Sequence, residues 1–158
     1  MAIEIERKFL VDVARLGTLP EGSRIVQGYV PTKTKVAVRA RIKGDSAFLT
    51  LKGESKGASR LEFEYPIPLS DAELIIAELC DSATIDKTRY EITHEGHLWE
   101  LDIFHGENEG LVVAEVELDD ESEEVVIPAW VQKEVTGQLE YLNSNLINAP
   151  YNSWKSEL

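Results

Sequence analysis

The chain opens MAIEIERKFLV (residues 1–11), and within it Glu4, Glu6 and Lys8 stand at every second position between Ile3, Ile5, Arg7 and Phe9. Successive side chains of a pleated strand point to opposite faces, so this alternation reads as a strand with its three charges in one row. At about 3.3 Å per residue the row is roughly 13 Å long. Whether it faces water or a ligand separates an ordinary two-sided sheet from a barrel turned inside out.

The same parity runs through the rest of the chain. In VAVRARI, Arg39 and Arg41 share a face while Val38, Ala40 and Ile42 take the other; in LTLKG, Lys52 lies opposite Leu49 and Leu51. RLEFEYP sets Arg60, Glu62 and Glu64 against Leu61, Phe63 and Tyr65, and IDKTRYE carries Lys87, Arg89 and Glu91 on one side. WELDIF adds Glu100 and Asp102, and VAEVELD adds Glu115 and Glu117. With SRIVQGYVP this makes about eight strands, most joined by short turns such as KGDSA and THEGH that favour antiparallel hairpins.

Two segments break the pattern. DAELIIAELC, after Ser70 as its N-cap, reads as an amphipathic helix, and a second helical region is expected from IPAWVQKEV through GQLEYLNSNLIN, ahead of APYNSWKSEL. VDVARLGTLP reads as a short helical turn, and the acidic run DDESEE as a solvated helix start.

A solvated polar face is the ordinary meaning of such strands, with Glu and Lys paired across them for roughly 0.2–1 kcal/mol each. Here the central positions of the face are nearly all fully charged rather than mixed with Ser, Thr and Gln. Closing the sheet with its apolar side outward, under the helices, would make the charged side the lining of a tunnel. Two carboxylates about 6 Å apart repel by roughly 3 kcal/mol at an effective dielectric near 20, so such a lining requires bound counter-charge. Divalent cations would neutralise the acidic sector and a polyanion the basic one.

Composition limits the alternatives. At 158 residues, 43% hydrophobic and 28% charged, the chain suits one domain spanning 1–158. A net charge of −13 argues against DNA or RNA as a partner, and no apolar run approaches the length of a membrane span. The charged, strand-like N-terminus has no apolar signal core and reads as that of a cytoplasmic protein, monomer or homodimer. The one cysteine, Cys80, reads as a small buried hydrophobe, and His94, His97 and His105 flank turns without metal-ligand spacing. GESKG lacks the spacing and the following helix of a phosphate loop.

These residues in this order resemble the CYTH family of triphosphate tunnel metalloenzymes, which holds inorganic triphosphatases, thiamine triphosphatases and class IV adenylyl cyclases. The likeness starts at the ExExK of Glu4, Glu6 and Lys8 and passes through QGYV, VRARI, LTLKG, RLEFEY, KTRY, WELDIF and VAEVEL to EVT and PYNSW. It implies an α+β, mainly β fold: a closed eight-stranded antiparallel barrel with a charged interior, covered by a few helices. It also implies metal-dependent hydrolysis of a small triphosphate, inorganic tripolyphosphate being the first choice for a chain without an insertion to hold an organic group.

Residue types and family agree on roles. Hard oxygen ligands without Cys or His suit Mg²⁺ or Mn²⁺, with Glu4, Glu6, Glu115 and Glu117 as candidates, joined by Asp102 or Glu64 across the tunnel. Lys8, Arg39, Arg41, Lys52, Arg60, Lys87 and Arg89 are the expected phosphate-binding residues. Tyr29 beside Lys87 would help deprotonate water, or else pack its ring and bond one phosphate. The same motifs would serve a thiamine triphosphatase, an adenylyl cyclase releasing pyrophosphate, or a module that binds polyphosphate or nucleotides without turnover.

Overall fold

The computed structural model describes residues 2–158. Nine strands form in chain order: β1 (Ile3–Val11), β2 (Ser23–Val30), β3 (Ala37–Lys43), β4 (Ser46–Lys52), β5 (Ser59–Pro66), β6 (Ile85–His94), β7 (His97–Phe104), β8 (Val112–Glu117) and β9 (Val131–Glu134). Three α-helices accompany them: α1 (Leu69–Glu78), α2 (Asn143–Leu146) and α3 (Tyr151–Trp154). The sheet runs β5-β4-β3-β2-β6-β7-β8-β1, all antiparallel, and closes where β5 pairs back onto β1 through Ile3–Leu61, Glu4–Arg60 and Ile5–Ser59. The result is a closed eight-stranded antiparallel barrel, mainly β, with β9 as an extra strand. Among the described residues no helix is long and apolar enough to cross a membrane.

Closure sorts the alternating residues. Phe9, Trp99, Leu101, Ala114 and Val116 point outward and are buried beneath Leu16, Val125, Trp130 and Val131. Their aromatic rings are tilted or edge-on, Phe9 to Trp99 at 5.6 Å and Trp99 to Trp130 at 5.8 Å, both inside the favourable range. On the opposite side α1 covers β2, β3 and β4. Gly28 permits that approach, because a Cβ there would lie 3.0 Å from the Cβ and Sγ of Cys80. Cys80 is only half-buried in this contact.

One end of the barrel is sealed. Tyr29, Ile85, Phe104 and Val113 form an apolar floor on which Tyr141, Leu146 and Ile147 of the tail are seated, with Trp154 edge-on to Tyr141 at 5.3 Å. The tail therefore packs into this end of the tunnel.

Three expectations are corrected. VQKE, within the anticipated helical tail, is strand β9, which pairs with Phe9 and Val11. The β5 pairing of β1 ends at Ile5, so the backbone groups of Phe9–Val11 on that edge need another partner, and β9 supplies it. DDESEE forms bends and turns rather than a helix start, with the Asp119 amide donating to Glu123, whose other oxygen meets His97. Ser70 sits inside the first turn of α1, which begins at Leu69 behind Pro68 and has no side-chain cap.

Candidate active site

A cavity of about 250 Å³ fills the barrel. Its lining takes the inward parity of β1 (Glu4, Glu6, Lys8), of β3 to β5 and of β6 to β8, and Leu142, Asn143 and Ser144 of the tail form its end. Charge is partitioned around it.

The acidic wall spans β5, β1 and β8. Lys52 reaches Glu4 at 3.1 Å and Glu62 at 3.0 Å, Arg60 stands 3.6 Å from Glu4, and Lys8 stands 3.9 Å from Glu115. Strand register places Glu6 directly opposite Glu117, a destabilising pairing of like charges. Among the described residues neither Glu6 nor Glu117 forms an ion pair.

The protonation states record this surplus of negative charge. Burial, then the proximity of Glu115 and Glu4, holds the Glu6 carboxyl well above the ordinary carboxylate range. Burial acts the same way on Glu115, but Lys8, a hydrogen bond from Glu6 and the nearby Arg89 and Lys87 outweigh it and keep that group well below the range. Of the hydrogen-bonded pair, Glu6 is thereby the one that holds its proton to higher pH and Glu115 the acceptor. Glu62 and Glu4 repeat the arrangement: burial and the hydrogen bond with Glu4 raise Glu62, whereas on Glu4 burial is outweighed by Lys52 and Glu62. Glu117 is raised by burial and by Glu4, Glu100 and Glu62.

The donor set of this wall fits a hard divalent cation. Its oxygens are carboxylates, and two proton-sharing carboxyl pairs stand where a cation would remove the need for the shared protons. No three carboxyl, His or Cys groups among the described residues form a ready-made cage.

The basic wall spans β3, β2 and β6. Arg39 donates from Nη2 to Thr50 and to Glu64, both at 3.2 Å, and its buried Nε has no partner. Arg41 forms no ion pair among the described residues; its Nε donates to Gln27 Oε1 at 2.7 Å. Burial, then the like charges of Arg39 and Arg89, brings its guanidinium down to about 10. Lys87 is fully buried, with its Nζ 2.7 Å from Asp102 and donating to Asn143 Oδ1 at 2.8 Å. Burial lowers its ammonium to about 7 against the opposing pull of Asp102, with Arg89 and Arg41 adding to the fall.

Most of the sequence-predicted site residues line this one cavity: Glu4, Glu6, Lys8, Tyr29, Arg39, Arg41, Lys52, Arg60, Glu64, Lys87, Arg89, Glu115 and Glu117. Asp102 does not. It is buried behind the lining, where Arg89 grips it by a two-bond fork (2.8 and 2.9 Å) and Lys87 holds it as well. Its oxygens are committed to cations, so it acts as their counter-ion and is not placed to ligate a metal beside Glu6. Arg89 gives its remaining bond to Glu100 at 3.0 Å. Tyr29 packs its ring in the apolar floor while lining the cavity with Lys87; its hydroxyl accepts from Gln27 Nε2 at 2.9 Å, and no direct hydrogen bond joins it to Lys87 among the described residues.

Gln27 and Asn143 were missed in the sequence reading. Gln27 had a signal, since it shares the parity of Tyr29 two residues on; Asn143 had none, because the tail has no period that says which side chain turns inward.

Residues 2–151 match the sequence model of the CYTH domain. A protein of Acetivibrio thermocellus named inorganic triphosphatase is 46% identical over 155 residues, 98% of this chain and 99% of that one. Another so named, from Nitrosomonas europaea, is 36% identical over 151 residues, 90% of this chain and 95% of its own. The crystal structure of an inorganic triphosphatase superposes with a TM-score of 0.66 at 34% identity, over 93% of this chain and 95% of that one.

Proposed function

The chain belongs to the CYTH domain family, and from that premise we propose that it hydrolyses a phosphoanhydride bond of a small triphosphate, inorganic tripolyphosphate first, with Mg²⁺ or Mn²⁺. One observation carries the reading: a single cavity sets Arg41 across from Glu6 and Glu117, none of which forms an ion pair among the described residues. A polyanion accompanied by a divalent cation satisfies both walls together, which neither ligand does alone.

Glu4, Glu6, Glu115 and Glu117, with Glu62 and Glu64 beside them, would hold the metal. When bound, the cation would draw charge from the phosphate oxygens and orient water for in-line attack. Arg39, Arg41 and Arg60 offer forked donors to phosphate, and Lys8 and Lys52 offer point charges; Lys8, Lys52 and Arg60 now rest on Glu4, Glu62 and Glu115. Lys87 and Tyr29 are each held by neighbours and present their remaining hydrogen-bonding capacity to the substrate. Arg89 acts through Asp102 and Glu100. The barrel, its cover and the tail plug work as one unit, and most of the rate enhancement comes from positioning and a fixed electrostatic field.

One observation favours a second reading, an organic triphosphate. A neighbouring cavity of about 510 Å³ shares Tyr29, Ala37, Arg60, Leu142 and Ser144 with the first and is lined partly by Pro31, Val36 and Leu139. The test is phosphate release from tripolyphosphate, ATP and thiamine triphosphate with Mg²⁺, Mn²⁺ or chelator, for the wild type and Glu6→Gln. Release from tripolyphosphate that needs metal and Glu6 is the expected result. Tight binding of tripolyphosphate without release in either metal would leave a binding module instead.

A further inference from the structure

We propose that Gln27 and Asn143 form a neutral amide bridge that positions Arg41 and Lys87 for phosphate without cancelling their charge, and that the tail plug supplies the Asn143 half of it. The inference rests on the triphosphate reading of the cavity and goes beyond it by assigning two positioning residues.

The hydrogen bonds run in one direction. Arg41 Nε donates to Gln27 Oε1 at 2.7 Å; Gln27 Nε2 donates to Tyr29 Oη at 2.9 Å and to Asn143 Oδ1 at 3.3 Å; Lys87 Nζ donates to the same Asn143 Oδ1 at 2.8 Å. Every amide orientation is set by a cation or an amide donor, so the chain admits one assignment. An ammonium has three donors. Asp102 and Asn143 take two from Lys87, and the third is left for the cavity that Lys87 lines.

The bridge is built rather than incidental. Gln27 and Lys87 are almost wholly removed from solvent, at 0% and 1% exposure, and a buried amide without partners would be costly. Asn143 opens α2 beside Tyr141 and Leu146, which are packed on Tyr29, Ile85 and Phe104, so apolar seating of the plug fixes where its amide stands.

Neutrality matters at this position. A carboxylate there would hold Lys87 at least as firmly as an amide does, and the fold would be satisfied. It would also cancel the charge that the phosphate needs, Lys87 already having Asp102 as counter-ion. Structural and positioning roles therefore predict opposite outcomes for an isosteric change.

The experiment compares Asn143→Asp, Asn143→Ala and Gln27→Glu with the wild-type full chain. The readouts, taken at pH 6 so that Lys87, lowered to about 7, carries its proton, are melting temperature, tripolyphosphate affinity by titration calorimetry in chelator, and kcat and KM for tripolyphosphate with Mg²⁺. For Asn143→Asp the expected result is an unchanged or higher melting temperature with tripolyphosphate affinity lowered roughly tenfold or more, seen in KM rather than kcat. Gln27→Glu should also lower affinity, with a lower melting temperature because the donor to Tyr29 and Asn143 is lost, and Asn143→Ala should lose about two- to fivefold in affinity. Affinity of Asn143→Asp within twofold of the wild type, or a lower melting temperature with unchanged affinity, would overturn the inference. Wild type that binds tripolyphosphate without turnover defeats the proposed hydrolysis alone, and the calorimetric arm still decides the bridge. Wild type that binds it neither in chelator nor with Mg²⁺ defeats both.

Discussion

The change Glu6→Gln separates what the acidic wall does for the fold from what it does for a ligand. Glu6 faces Glu117 across β1 and β8, shares a hydrogen bond with Glu115 and has Glu4 nearby. A glutamine keeps its shape and can donate to Glu115 as the protonated acid does. Because the folded Glu6 keeps its proton to higher pH than an unfolded glutamate with its value of 4.5, its contribution to stability is complete below about that pH. It is lost as pH rises through the elevated folded value. Within that window one proton held by the folded but not the unfolded chain changes stability by at most about 1.4 kcal/mol per pH unit. For a chain of this size that is roughly 3–6 °C in melting temperature per unit. The two proteins should therefore melt together near pH 4.5 in chelator, and the variant should gain on the wild type by up to that amount for each unit above. Adding Mg²⁺ or Mn²⁺ at pH 8 should raise the wild-type melting temperature more than that of the variant, which should release no phosphate. Calorimetric or circular-dichroism melts at pH 5, 6, 7 and 8 decide the matter: parallel stability curves would show that Glu6 is solvated or already neutralised, and the surplus-charge account of the wall would fail.

The basic wall and the cover give further tests. Lys87 has its ammonium lowered from 10.5 to about 7, so its contribution to stability is present above about pH 10.5 and is lost as pH falls through about 7. Lys87→Met should flatten the rise in melting temperature between pH 7 and 10, and phosphate release should fall by roughly a hundredfold, a typical loss for one charged group at a phosphoryl site. Arg39→Lys loses the planar guanidinium, whose Nη2 alone now meets Thr50 and Glu64 and whose Nε is unpartnered, and KM for tripolyphosphate should rise about tenfold with kcat less affected. Trp130→Ala removes the edge-on ring over Trp99 on the outer face and should cost about 3 kcal/mol in urea unfolding while leaving kcat within twofold, since it touches nothing in the cavity.

How much of this was legible in the sequence follows from the range over which each feature is specified. The direction of a side chain in a strand depends only on its neighbours along the chain, and so parity was enough to put Glu4, Glu6 and Lys8, Arg39 and Arg41, and Glu115 and Glu117 each on one charged face, which the family resemblance made an interior. Pairing depends on register between strands, which no single strand encodes. Asp102 was on the right face, but only the β6–β7 register sets it opposite Arg89, and that made it a counter-ion rather than a ligand candidate. β9 exists because β5 leaves part of one edge of β1 open, a demand written far from VQKE itself. Asn143 depends on the seating of a tail with no periodicity at all. The long-range information does one thing to the locally specified charges: it cancels most of them in pairs, Lys52 with Glu4 and Glu62, Lys87 and Arg89 with Asp102, Arg39 with Glu64. What survives the cancellation, Arg41 on one wall and Glu6 with Glu117 on the other, is what the fold leaves for a ligand to neutralise. A charged lining locates a cavity, but only the uncancelled remainder identifies which of its charges are there for binding.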